Sequence, residues 1–151
     1  MGVRSVISRF ASLAVVLGLG AGACRSATAP QFDLATARAR WASVAPVAYT
    51  ITIARTCECL PEMSGPVTVE VRNGTVVSRH YLRSGASVAN QYAELFPSVT
   101  GLFALLDAAV RDGVLPRSAQ FDRTFGYPTH FIIGDPATDA PVYAMSEFRT
   151  Q

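Results

Sequence analysis

A two-residue turn constrains this chain more than any other feature. Asn73-Gly74 stands between residues 67–72 and 75–82, two runs that alternate apolar and polar side chains. A type I′ turn needs positive φ at both central positions, and Asn followed by Gly meets that demand at least steric cost. The pair predicts an antiparallel hairpin and, through its loop length, a register: Val71 opposite Val76, Val69 opposite Ser78, Val67 opposite His80. On that register the opposite face carries Thr68, Glu70, Val77, Arg79 and Tyr81 and is the more polar one.

A lone hairpin is marginal in water, and the rest of the chain supplies what a sheet needs. Residues 47–56 put Val47, Tyr49, Ile51 and Ile53 on one side and Ala48, Thr50, Thr52 and Ala54 on the other, the alternation of a strand. Upstream, Asp33 is placed to cap a helix whose inward positions are Leu34, Ala37, Trp41 and Val44, ended by Pro46. Residues 83–90 read as a polar loop. A second helix begins near Ser98 or Thr100, and its apolar stripe of Val99, Leu102, Phe103, Leu106, Ala109 and Val110 has helical spacing. It runs to about Asp112, and Gly113 is its stop.

Strands are expected at 119–125, 129–134 and 141–148, the last two joined by a turn rich in Asp, Pro and Ala. The order α-β-β-β-α-β-β-β predicts an α+β fold, an antiparallel sheet of five to six strands with two helices packed on one face. Corresponding prolines and turns (Pro66 with Asn73-Gly74, Pro128 with Asp135-Pro136) suggest an internal duplication.

The N-terminus says where such a domain would reside. Arg4 and Arg9 precede an apolar run, residues 11–20, and Ala21-Gly22-Ala23-Cys24 follows. This is the pattern of a secretory signal (1–23) ending at a lipid-modified Cys24, with 24–30 as a tether and 31–151 as a single α+β domain. Ala21 stands where a lipobox usually has Leu, and Ala21 with Ala23 also satisfies the A-x-A rule for ordinary cleavage. Lipid anchoring and plain secretion are therefore both open, with anchoring favoured by the cysteine's position and the polar tether. Arg25, rather than Asp, follows the cysteine, which favours an outer-membrane site facing the periplasm if the cell has one.

Of the 13 basic residues, all arginine, Arg4 and Arg9 leave with the signal, so 11 remain against 11 acids. A near-neutral domain with no basic cluster gives no electrostatic case for nucleic acid.

Trp41, Tyr49, Cys57-Glu58-Cys59, the hairpin at 67–74 and the segment Phe121-Asp122-Arg123-Thr124-Phe125-Gly126-Tyr127-Pro128-Thr129 together resemble a family of bacterial secreted and lipid-anchored proteins, domain of unknown function 6174. The resemblance spans Trp41 to Phe148. It implies fold and address and carries no activity. The family's acidic strand end is matched by Asp135, and its acidic cluster before the last strand is reduced here to Asp139.

Cys57 and Cys59 carry the only chemistry the residues offer. With Cys24 lipidated they are the remaining thiols in an oxidising compartment, so a mutual disulfide is expected. An i, i+2 pair puts both side chains on one side of an extended strand, and the backbone must bend at Glu58 to bring them together. The competing readings are a soft-metal site for Cu(I) on Cys57, Cys59, Met63 and His80, and a thiol-redox role for the pair. No nucleophile elbow, metalloprotease, P-loop or dinucleotide motif occurs, and no catalytic or cofactor-binding residue is assigned.

His130 is expected on a strand face with Ile132, solvent-facing or satisfied. Asp122 is expected as a solvated carboxylate or an arginine's partner, and Tyr127 as a packing residue or the wall of a ligand groove. The sequence points to a non-enzymatic envelope lipoprotein that binds an envelope protein or small ligand; the alternative is a copper-binding or thiol-redox protein.

Overall fold

The computed structural model describes residues 30–151. The signal, Cys24 and the tether up to Ala29 lie outside them. In chain order the elements are α1 (Pro30–Val44), β1 (Ala48–Thr56), a one-turn α2 (Pro61–Ser64), β2 (Val67–Arg72) and β3 (Thr75–Tyr81). A 3₁₀ turn (Asn90–Leu95), α3 (Val99–Arg111), β4 (Arg117–Phe121), β5 (Pro128–Ile132), a second 3₁₀ turn (Pro136–Thr138) and β6 (Val142–Thr150) complete the chain. All six strands form one antiparallel sheet in the order β3-β2-β1-β6-β5-β4, so the first and last strands are central partners. The expected α+β class and element order are what the chain adopts.

The covered face of the sheet is made by the alternation read from the sequence. Tyr49, Ile51 and Ile53 on β1 stand opposite Val71, Val69 and Val67 on β2, and Ile53 stands opposite Met145 on β6. Leu34, Ala37 and Trp41 of α1, Phe96, and Val99, Leu102, Phe103 and Leu106 of α3 pack with them into one core. Each Val, Leu, Ile or Phe among them contributes about 1.5–3 kcal/mol when fully buried.

The Ser98 hydroxyl caps α3 by accepting the Gly101 N–H at 3.2 Å, and Gly113, at φ +75°, follows its end. The Tyr49 hydroxyl accepts the Val99 N–H at 3.0 Å, so the core itself satisfies a donor at the start of α3. Arg38 and Asp107 join α1 to α3 across the surface. Val44 does not point inward as expected: it is 47% exposed at the end of α1, where Trp41 makes the last contact with the core.

The helix expected to start after Asp33 begins at Pro30, so Asp33 lies in its first turn and is not its cap. Two further expectations need correcting. The hairpin has the predicted turn, with Asn73 and Gly74 at φ 51° and 74°, and Val71 opposite Val76. A bulge between Glu70 and Val71 then shifts the register, giving Glu70–Ser78, Val69–Arg79, Thr68–His80 and Val67–Tyr81. Val77 is the extra residue and projects outward, 51% exposed. The shift carries Arg79 and Tyr81 to the covered side, where Arg79 Nε donates to the Phe96 carbonyl at 2.7 Å and Tyr81 meets the Phe96 ring edge-on. His80 goes to the polar face.

The second correction concerns the duplication. Strands at equivalent places lie three apart in a fully antiparallel sheet, so β1 and β4 run in opposite directions. Both helices nevertheless share one core on one face. No rotation carries one half onto the other while keeping strand order, direction and helix side, so the two halves are not symmetric repeats.

Candidate functional site

β1 leaves the sheet at Thr56, and the chain turns through Cys57-Glu58-Cys59 into α2, whose first position is Pro61. The two sulfurs come into direct contact with their Cα atoms 5.2 Å apart, inside the span of a disulfide. The bend expected at Glu58 is held from outside: the Glu58 N–H donates to Asp139 Oδ1 at 2.6 Å. Asp139 takes a left-handed conformation after the second 3₁₀ turn, which directs its carboxylate to this corner. Asp139 thus pins the cysteine bend.

Arg55 is the residue that sequence reasoning missed here. It lies opposite Tyr143 in the β1–β6 register, with its guanidinium 5.8 Å from that ring's centroid. Its Nη1 donates to Cys57 Sγ at 3.1 Å, with Cys59 Sγ at 3.7 Å and the Met63 carbonyl at 3.4 Å. Its Nε is buried with no hydrogen-bond partner among the described residues. The signal was present: residues 55, 57 and 59 share one side of an extended chain. Two open hollows flank the sulfurs. One of 560 Å³ borders Cys59 together with Glu62, Tyr81 and Arg83, and one of 240 Å³ borders Cys57 and Arg55.

The four soft-ligand candidates are placed differently. Met63 lies on α2, and its carbonyl accepts from Arg55. His80 stands exposed on the polar face opposite Thr68, with Nδ1 3.5 Å from the Ser87 hydroxyl. Among the described residues no group of three or more His, Cys, Asp and Glu is arranged to hold a metal ion. The guanidinium at 3.1 Å also opposes a second cation at the same sulfur.

The face of the sheet away from the helices is the second feature. Its rows run His80, Thr68, Thr52, Ser146 and, beside it, Gln120, His130, Ala144, Ala54. Short hydroxyl and methyl side chains keep its centre flat, and Thr52, 3% exposed, sits 3.5 Å oxygen to oxygen from Thr68. Glu70 accepts from Arg72 Nε and Nη2 and from the Ser78 hydroxyl. The Arg72 hydrogen bonds hold its carboxyl below the ordinary range, with a smaller contribution from Ser78 and against partial burial. His130 shares this face with Ile132, as expected, its Nδ1 3.3 Å from the Ser118 carbonyl.

The sheet edges are blunted. The Tyr81 N–H donates to Ala86 and the Val88 N–H to Arg79, folding residues 84–88 onto β3. β4 is short, twice irregular in register, and has Ser118 at φ 54°.

Asp122 serves the backbone rather than solvent or an arginine: its Oδ1 accepts the Thr124 and Phe125 N–H groups at 2.9 and 2.6 Å. That turn presents Gly126, φ +84°, where an added Cβ would lie 2.4 Å from the Ala37 carbonyl of α1. Tyr127 stacks on Phe148 at 4.6 Å, and burial, then the Asp122 charge, raises its pKa. It packs.

The model of a family of unknown function (DUF6174) matches residues 33–150, and the chain belongs to that family. No curated protein and no solved structure is significantly similar. Among the described residues no helix is long and apolar enough to cross a membrane.

Proposed function

We propose that this member of the family is a non-enzymatic interaction domain of the bacterial cell envelope, anchored through lipid on Cys24, that meets an envelope protein with the open face of its sheet. The observation that carries this reading is the asymmetry of the sheet. One face is consumed by the core, the edges are blunted, and on the other face Ala144 and Ser146 are exposed and Thr50, Ala54 and Thr68 half-buried around a buried Thr52. A flat surface of short polar side chains loses little side-chain entropy when covered, and its hydroxyls supply both donors and acceptors. The anchor reading rests on Ala21-Gly22-Ala23-Cys24, and two or three acyl chains would hold the domain on a membrane essentially permanently.

Two measurements test it. Mass spectrometry of the mature N-terminal peptide is expected to find acyl mass on Cys24; an unmodified Cys24 makes this a freely secreted domain and removes the anchor. Photo-crosslinkers placed in living cells at Thr50 or Ser146 are expected to give one discrete adduct that Thr68→Arg abolishes. Equal adducts from Ala104, exposed on the far side of α3, overturn the use of the open face.

A second reading is favoured by one contact, Arg55 against both sulfurs: the Cys57–Cys59 pair is a reversible thiol–disulfide couple. Thiol counting on the purified protein before and after mild reduction is expected to find none and then two. Two free thiols in protein purified from the envelope overturn it.

A further inference from the structure

We infer that the Cys57–Cys59 couple is directional: an external thiol attacks Cys59, Cys57 departs as the thiolate facing Arg55, and the hollow beside Cys59 admits a zwitterionic amino-acid or peptide thiol. This rests on the reversible thiol–disulfide reading above and adds to it which sulfur is electrophilic and what class of thiol it meets.

Three observations carry it. The guanidinium Nη1 is 3.1 Å from Cys57 Sγ and 3.7 Å from Cys59 Sγ, whose other polar neighbour is the neutral Ser64 hydroxyl at 3.5 Å, so charge that develops on Cys57 is the better stabilised. Arg55 is fixed in that position by the Tyr143 ring and the Met63 carbonyl, and makes no salt bridge among the described residues. Access differs in the complementary sense. Cys59 borders the hollow of 560 Å³, and Cys57 borders the smaller one of 240 Å³, which Arg55 also lines. The larger hollow carries Arg83 and Glu62, opposite charges that match the carboxylate and ammonium of an amino acid.

The step balances without an outside oxidant. The incoming thiolate forms an S–S bond to Cys59 Sγ as the Cys57–Cys59 bond breaks, and the electron pair of the broken bond stays on Cys57 Sγ. A second external thiolate then attacks the bound thiol's sulfur, releasing the small disulfide and leaving Cys59 reduced. Two external thiols are oxidised to one disulfide, and the protein disulfide is reduced to two thiols.

The test uses the purified mature protein, reduced glutathione as probe, rapid alkylation and peptide mapping. The expected product carries glutathione on Cys59 and the alkyl group on Cys57. Arg55→Gln is expected to lower the ratio of Cys59 to Cys57 adducts about tenfold, and Arg55→Lys to restore most of it. Arg83→Ala is expected to slow reaction with glutathione several-fold and to leave the rate with 2-mercaptoethanol, a neutral thiol, unchanged. Far-ultraviolet dichroism of each variant checks that it folds.

Adducts distributed equally, or favouring Cys57, overturn the inference while leaving the couple reversible. A pair that glutathione never opens, or that is purified with both thiols free, overturns the couple and the inference with it. Equal effects of Arg83→Ala on both thiols overturn the zwitterion assignment.

Discussion

The two faces of one sheet have opposite physical character along the same strands. On β1, Tyr49, Ile51 and Ile53 are at most 3% exposed under the helices, and the intervening Thr50, Thr52 and Ala54 line the open face. The covered face is large, branched or aromatic and tightly interlocked. The open face is small, hydroxylated and flat at its centre, with His80, Gln120 and His130 toward its margins. Alternation at period two allows both on one segment, so the residues that hold the fold together are separated from those that meet a partner by a single step along the chain.

The sharpest way to break that comparison is to delete volume on each side of it. Ile51→Ala is expected to cost about 2–5 kcal/mol in urea unfolding, because Ile51 is completely enclosed, whereas Thr50→Ala is expected to stay within about 0.5 kcal/mol. Similar losses from both would show that the open face is part of the stabilising structure.

Gly126→Ala comes next, at about 1–3 kcal/mol, since the new Cβ meets the Ala37 carbonyl and the backbone is left-handed there. A neutral outcome would mean that α1 does not bear on this turn.

Tyr49→Phe tests a polar bond between the covered face and α3, and leaves the Val99 N–H unpaired, at about 1–3 kcal/mol. Burial raises the Tyr49 pKa above its ordinary value of 10.0, against the opposing bond from Val99. The folded state therefore binds that proton more tightly, and the stability it represents is full below about pH 10 and lost as pH rises through the folded pKa. Alkaline unfolding should be shallower in Tyr49→Phe than in the parent.

The smallest effect belongs to the open face: Arg72→Ala should move the Glu70 carboxyl resonance to titrate at higher pH, with almost no change in stability. The depressed Glu70 pKa contributes stability above the ordinary carboxylate range and loses it as pH falls through the folded value. No movement would show that Arg72 does not hold Glu70 in solution.

Much of the fold was legible because it rests on local rules. The Asn73-Gly74 turn, the Ser98 cap with its stripe of Val99, Leu102, Phe103 and Leu106, and the Tyr49-Ile51-Ile53 alternation need no knowledge of distant residues. The bulge after Glu70 was not legible. Its cause is distant: Phe96, delivered by a 3₁₀ turn inside a stretch read partly as loop, offers a carbonyl to Arg79 and a ring to Tyr81. Those contacts favour turning Arg79 and Tyr81 inward, which sends Ser78 and His80 outward and leaves Val77 as the unpaired extra residue. The candidate site divides the same way. Cys57 and Cys59 stood out by spacing, with Arg55 on their side of the chain, while the Tyr143 ring and the Asp139 carboxylate reached that corner only when β6 and the loop before it were laid beside β1.

The sequence by itself determined the six strands and two long helices, their order, which side of each central strand is apolar, and the cysteine pair. Each follows from side-chain periodicity or from a backbone preference within a few residues. Only the tertiary structure decided the strand order, the shifted hairpin register, the placing of His80 away from the cysteines, and the guanidinium beside them. Those depend on contacts between residues far apart in the chain, whose energies are of similar size to the local preferences they override.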